Sequence, residues 1–181
     1  LFACGGTDEP EPTPTPDNST VSRIAFASNR DGNWEIFVMN ADGSNPHNVT
    51  NHPSTDSYPS WSPTGSKIAF QSERDGNLEI YVMNSDGSNQ IRMTNDRDRD
   101  HSPAWSPDGS KIAFISDRRG RQSIWLMNAE DGSELEDLTG SFINSRWATW
   151  GPKSRSIVYE TDRDVRIVRI DGSRNEKIFE A

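Results

Sequence analysis

The chain repeats itself, and the period limits the folds open to it. Trp61-Ser-Pro-Thr-Gly-Ser-Lys-Ile-Ala-Phe70 returns as Trp105-Ser-Pro-Asp-Gly-Ser-Lys-Ile-Ala-Phe114, and a worn third copy follows as Trp150-Gly-Pro-Lys-Ser-Arg-Ser-Ile-Val-Tyr159. The offsets are 44 and 45 residues. A second landmark keeps the same spacing. Val38-Met-Asn-Ala-Asp-Gly-Ser-Asn45 becomes Val82-Met-Asn-Ser-Asp-Gly-Ser-Asn89 and then Leu126-Met-Asn-Ala-Glu-Asp-Gly-Ser133. A fixed period of this size belongs to solenoids, propellers and arrays.

One repeat reads as four strands. Ser57–Ser62 is short and holds Pro59 where an inner ladder need not use its missing donor. Pro63-Thr-Gly-Ser66 is a turn, since Pro presets φ and Gly accepts positive φ. Lys67–Ser72 and Leu78–Met83 are rich in strand formers, and the loop between them carries Asp75-Gly76, a hairpin signal. A second Asp-Gly turn at Asp86-Gly87 leads to a fourth strand over Gln90–Thr94. Four strands joined by tight turns make a propeller blade. No segment carries a 3.6-residue apolar period, so almost no helix is expected.

The repeats fall near 22–50, 57–94, 101–139 and 146–180 within a domain spanning 21–181. The first has no Trp-Ser-Pro strand before it. The expected fold is therefore all-β: a propeller of four-stranded antiparallel blades, about four present, the first lacking its inner strand, fifteen strands in total. Three arrangements stay open: a small closed ring, part of a larger ring, or a homodimer that completes one. The missing strand leaves an unpaired hydrogen-bonding edge.

Composition agrees with short strands and frequent turns. Only 31% of residues are hydrophobic, but six Trp and seven Phe supply large surfaces to bury. The net charge is −9 without a basic stripe, which argues against nucleic-acid binding. No run of about 20 apolar residues exists to span a membrane. Cys4 is the single cysteine, which rules out an internal disulfide or a cysteine-based metal site.

Residues 1–20 have a separate character. Leu1-Phe2-Ala3-Cys4-Gly5-Gly6 resembles the lipobox that closes a bacterial lipoprotein signal peptide, and implies lipidation of Cys4. Thr7-Asp-Glu-Pro-Glu-Pro-Thr-Pro-Thr-Pro-Asp17 cannot bury a core and is expected to be a disordered tether. Several acyl chains on Cys4 would hold the protein stably at a membrane surface.

The repeat as a whole, Trp-Ser-Pro-(Asp/Thr)-Gly-x-x-Ile-Ala-Phe followed by Arg74-Asp75-Gly76, Ile80-Tyr-Val-Met83 and Asp86-Gly87, closely resembles the blades of TolB-type, WD40-like propellers over roughly residues 22–179. That resemblance implies a periplasmic or outward-facing cell-envelope protein that binds a protein partner; the best-known member binds a peptidoglycan-associated lipoprotein. Similar propellers gate substrate entry in prolyl-oligopeptidase-like serine peptidases. A fragment or gating propeller of such an enzyme is therefore a second reading, and a propeller that binds a small ligand or carbohydrate is a third. The sequence has no Gly-x-Ser-x-Gly elbow, and no residue is set up as an activated nucleophile, so no catalytic residue and no enzyme activity are expected.

Candidate sites must be weighed against repeat architecture. Trp61, Trp105 and Trp150 occupy one blade position, which points to packing between blades rather than ligand stacking. The Arg-Asp-Gly loops read as hairpin turns. His47, His52 and His101 share no metal-ligand spacing. Asn95-Asp-Arg-Asp-Arg-Asp100 comes nearest to a calcium loop, the one cofactor left open, but Arg97 and Arg99 interrupt its acids. The residue five before each Trp is Asp56, Asp100 and then Ser145. These sites are expected at one mouth of the central channel, where acids would draw a cation or basic peptide. The alternative is that each Asp holds local backbone.

Overall fold

The computed structural model describes residues 22–140 and 145–180. Cys4, the lipobox and the tether lie outside the described residues. The described chain forms fifteen strands in four antiparallel sheets. Blade 1 holds β1 (Arg23–Ser28), β2 (Glu35–Asn40) and β3 (His47–Asn48). Blade 2 holds β4 (Asp56–Trp61), β5 (Lys67–Ser72), β6 (Glu79–Asn84) and β7 (Ile91–Arg92). Blade 3 holds β8 (Asp100–Trp105), β9 (Lys111–Ser116), β10 (Ser123–Asn128) and β11 (Glu136–Asp137). Blade 4 holds β12 (Arg146–Trp150), β13 (Ser156–Glu160), β14 (Asp164–Arg169) and β15 (Asn175–Glu180). Among the described residues the first blade has no inner strand, in line with the repeat count.

Strand alternation gives each blade a large face and a small face. In blade 2, Ile68 pairs with Met83 and Phe70 with Tyr81, so four large side chains share one side. Ala69 pairs with Val82 on the other side. The large face packs onto Ile36, Val38 and Val49 of blade 1. The small face receives Ile112, Phe114, Trp125 and Met127 of blade 3. Blade 3 in turn offers Ala113, Ile124, Leu126 and Leu138 to Ile157, Tyr159 and Val168 of blade 4. Large side chains of one blade are thus seated against the smaller ones of the next. Trp61, Trp105 and Trp150 lie at these three seams, as their common position predicted. Among the described residues, no buried apolar cluster joins blade 4 to blade 1, so the four blades form an open arc.

The outer strands are shorter than the sequence suggests. A strand over Gln90–Thr94 was expected, and the ladder covers Ile91–Arg92. Thr94 explains the early stop. Its hydroxyl accepts the Ile80 N–H at 2.9 Å and donates to Glu79 Oε2 at 2.5 Å. Thr50 and Glu35 make the same pair in blade 1. Glu79 Oε1 also accepts the Asp96 N–H at 3.0 Å, while Asn77 Nδ2 donates to the carbonyls of Asp96 and Asp98. The buried glutamate thus fixes the loop that feeds the next inner strand.

The Trp-Ser-Pro-Asp-Gly turn is held by its own side chains. Asp108 Oδ1 accepts from Ser106 Oγ at 2.7 Å, the Ser110 N–H at 3.0 Å and Ser110 Oγ at 2.9 Å. These bonds, the Ser106 hydroxyl first, hold the Asp108 pKa down at about 2. An unfolded aspartate titrates near ~3.9. Between the two values the unfolded chain binds the proton and the folded chain does not, so this contribution is lost as pH falls through about 2. Asp108→Asn is therefore expected to flatten the fall of melting temperature from pH ~4 to pH ~2, followed by circular dichroism. A slope equal to that of the unmodified chain would remove the carboxylate from this account.

Candidate groove on the inner strands

The inner strands β4, β8 and β12 are neighbours, β4 against β8 and β8 against β12. Each carries one bulge at the same place. Pairing of β4 with β5 slips between Ser57 and Ser60, of β8 with β9 between His101 and Ala104, and of β12 with β13 between Arg146 and Thr149. The bulge puts Tyr58, Ser102 and Trp147 at φ of 55°, 54° and 50°. Positive φ is uncommon for residues other than glycine and is an outlier for a bulky one. Bulges re-aim side chains and cluster near functional sites. Here Tyr58 and Trp147 stand 48% and 68% exposed. The β8 bulge is held by Gln71, whose Oε1 accepts the Ser102 N–H at 2.9 Å.

These positions line one cavity of about 520 Å³, together with Gln71, Gln122, Arg99, His101 and Arg146. Its charged groups are already paired: Arg99 with Asp117 at 2.6 Å and Arg146 with Asp162 at 2.8 Å. Burial pushes the His101 pKa below its ordinary value, which keeps the ring neutral at pH 7. His101 Nδ1 lies 3.1 Å from Ser102 Oγ. The walls therefore offer aromatic faces, amides and surface ion pairs. Such a set suits contact with a polypeptide.

Asp56, Asp100 and Ser145 sit two residues before the bulged positions, and each is fully buried at 0% exposure. Their N–H groups donate to the carbonyls of Trp34, Leu78 and Gln122 in the preceding blade, at 2.8, 2.9 and 2.9 Å. Asp56 Oδ2 accepts from Arg74 Nη2 at 2.9 Å, and Asp100 pairs in the same way with Arg118. Burial, the largest influence, raises the pKa of both carboxyls. The side chains that reach the cavity are their neighbours. Arg74 comes from one of the Arg-Asp-Gly loops read as plain hairpin turns, and Arg118 from the equivalent place in blade 3. The signal was the joint recurrence of Asp before the Trp and Arg after the second strand. The acids of the 95–100 loop are likewise engaged, Asp96 and Asp100 by Arg118 and Asp98 by Arg97. Among the described residues, no group of three or more His, Cys, Asp or Glu is arranged to hold a metal ion.

No curated protein matches this sequence. Solved structures do. A TolB candidate from Agrobacterium tumefaciens is 28% identical, with a TM-score of 0.79, over 87% of this chain and 61% of its own. TolB from Acinetobacter baumannii is 26% identical, with a TM-score of 0.69, over 88% of this chain and 41% of its own. This chain thus spans less than two thirds of either relative. A chain of a nidogen/laminin complex, 11% identical with a TM-score of 0.73 over 86% of this chain and 60% of its own, shares the fold alone. The family model described as the TolB beta propeller domain matches residues 9–180. With fifteen strands in repeated blades among the described residues and the Trp-Ser-Pro turns in place, the chain belongs to the TolB β-propeller domain family.

Proposed function

We propose that this chain is a non-catalytic propeller of the bacterial cell envelope that holds a protein partner against the groove of its inner strands. Family membership supports the envelope as a coarse location. The observation that carries the binding reading is the repeated bulge. Three inner strands accept a left-handed residue at one position, at about 1–2 kcal/mol each, and two of them turn an aromatic ring toward the same cavity. Tyr and Trp give large, rigid contact areas and dominate interface energies. Asp56, Asp100 and Ser145 serve this groove from beneath, fixing where each inner strand starts. The lipobox supports an acylated Cys4, with the Pro/Thr segment setting the reach of the domain from the membrane.

Tyr58→Ala combined with Trp147→Ala is expected to weaken capture of the envelope partner at least ten-fold. Both side chains are largely exposed, so the melting temperature should move by no more than about 2 °C. Capture from solubilised envelope, quantified for the one partner retained by the unmodified chain, reads the effect. Equal capture by the double variant would remove the groove from the binding surface. Independently, Cys4→Ser is expected to move the natural protein from the detergent phase to the aqueous phase on phase partition. Unchanged partition would overturn the anchor.

A further inference from the structure

Blade 1 is built like blades 2 and 3 except along one edge. β5 and β9 are paired on their inner side by β4 and β8. Among the described residues, β1 is paired by β2 alone. Among these residues, its inner row of N–H and C=O groups is open.

The side chains along that edge are set for a strand. In blade 2, Arg74 stacks over Phe70 and Tyr81 at 5.5 and 4.5 Å, and its Nε donates to Ser72 Oγ at 2.8 Å. In blade 3, Arg118 stacks over Phe114 and Trp125 at 5.7 and 4.6 Å, and its Nε donates to Ser116 Oγ at 3.0 Å. Each of these arginines then holds the aspartate that opens its inner strand. Arg30 takes up the same pose in blade 1. It lies over Phe26 and Phe37 at 5.3 and 4.8 Å, and its Nε donates to Ser28 Oγ at 3.0 Å. Among the described residues, it has no carboxylate partner. A guanidinium fixed by two rings and a hydroxyl has already lost the freedom that ion pairing would cost.

The other end of the slot is open as well. Trp61 lies opposite Ile68 and Trp105 opposite Ile112, and both isoleucines are 0% exposed. Their counterpart Ile24 is 40% exposed. The register of the filled blades, Asp56 opposite Ser72 and Trp61 opposite Ile68, specifies what fits. It is an extended segment with an acid opposite Ser28 and a tryptophan opposite Ile24, five residues later. One 44-residue repeat before Asp56 and Trp61 the sequence has Pro12 and Asp17, which supply neither group.

We propose that the inner edge of β1 is a strand-acceptor site for a partner polypeptide of the pattern Asp-x-x-Pro-x-Trp, whose backbone completes blade 1 and whose acid pairs with Arg30. Main-chain bonds to an open edge supply affinity, and side-chain pockets supply selectivity. The inference rests on blade geometry, independently of the groove reading.

The test uses a fluorescein-labelled peptide with the sequence of residues 54–66, followed by anisotropy against the full chain. Saturable binding is expected. The peptide with alanine in place of its aspartate, or the chain with Arg30→Ala, should bind at least ten-fold more weakly. Arg30→Lys should recover only part of the loss, since it keeps the charge but loses the fork. The Tyr58→Ala/Trp147→Ala chain should bind within two-fold of the unmodified one, which separates this site from the groove. No binding, or binding that Arg30→Ala leaves unchanged, would overturn the proposal. So would a stable dimer by light scattering that ignores the peptide, because a second copy would then occupy the edge.

Discussion

Asp56→Ala is expected to lower the melting temperature by roughly 6–20 °C. Removing one partner of a buried ion pair leaves the other charge uncompensated and costs about 3–5 kcal/mol. For a chain of this size each kcal/mol corresponds to roughly 2–4 °C. The estimate applies because the pair is enclosed, with Arg74 13% exposed and Asp56 0% exposed in their side chains. The guanidinium would keep its stacking on Phe70 and Tyr81 but lose its only carboxylate among the described residues. Asp100→Ala should behave alike in blade 3, where Arg118 keeps a more distant acid, Asp96 at 3.8 Å, and so loses less.

A control separates the charge from the packing. Replacing both members by apolar residues is often neutral or stabilising. The double variant Asp56→Ala/Arg74→Met should therefore recover most of the loss, giving a large coupling in a double-mutant cycle. A single variant within about 1 kcal/mol of the unmodified chain would mean that the carboxylate does not hold the blade. The channel role that its sequence position first suggested would then return.

The fold was legible because each repeat states the same instructions. The Trp-Ser-Pro turn, the Asp-Gly hairpins and the alternation of Ile68, Phe70, Tyr81 and Met83 give the strand count and the missing inner strand directly. The groove was not legible. Its defining residues, Tyr58, Ser102 and Trp147, share a backbone angle rather than a residue type. A bulge leaves no mark in a pattern read as strict alternation. Asp56 and Asp100 did recur, but burial cannot be read from recurrence. An acid two residues from a bulge can face the channel or the blade, and the Arg that decides the matter lies 18 residues away in another loop.

Gly87→Ala and Gly43→Ala are expected to differ by about 1–3 kcal/mol although they change the same residue in the same turn. The two glycines have φ of 86° and 84°, so the cost of left-handed backbone is shared, at roughly 1–2 kcal/mol. Around Gly43 a Cβ would meet nothing within 4 Å. At Gly87 it would lie 2.2 Å from the Val49 carbonyl oxygen of the preceding blade. That carbonyl belongs to backbone and is held in place, since the Val49 N–H donates to Ile36 O at 2.8 Å. Gln90 Nε2 also reaches across to Val49 O at 3.3 Å and Thr50 O at 3.1 Å. The methyl group can enter only if blade 2 lifts away from blade 1. Overpacking of this kind costs about 1–3 kcal/mol beyond the backbone term. Gly43→Ala should thus lower the melting temperature by about 2–8 °C, and Gly87→Ala by roughly 4–20 °C. Gly132→Ala, with its Cβ 2.5 Å from Met93 O, belongs with Gly87. The comparison cancels the turn and leaves the seam between blades. Equal shifts at Gly43 and Gly87 would mean that blade 2 does not seat on blade 1 in solution. The inner-strand groove depends on that seating, because Asp56 starts β4 on a carbonyl of blade 1.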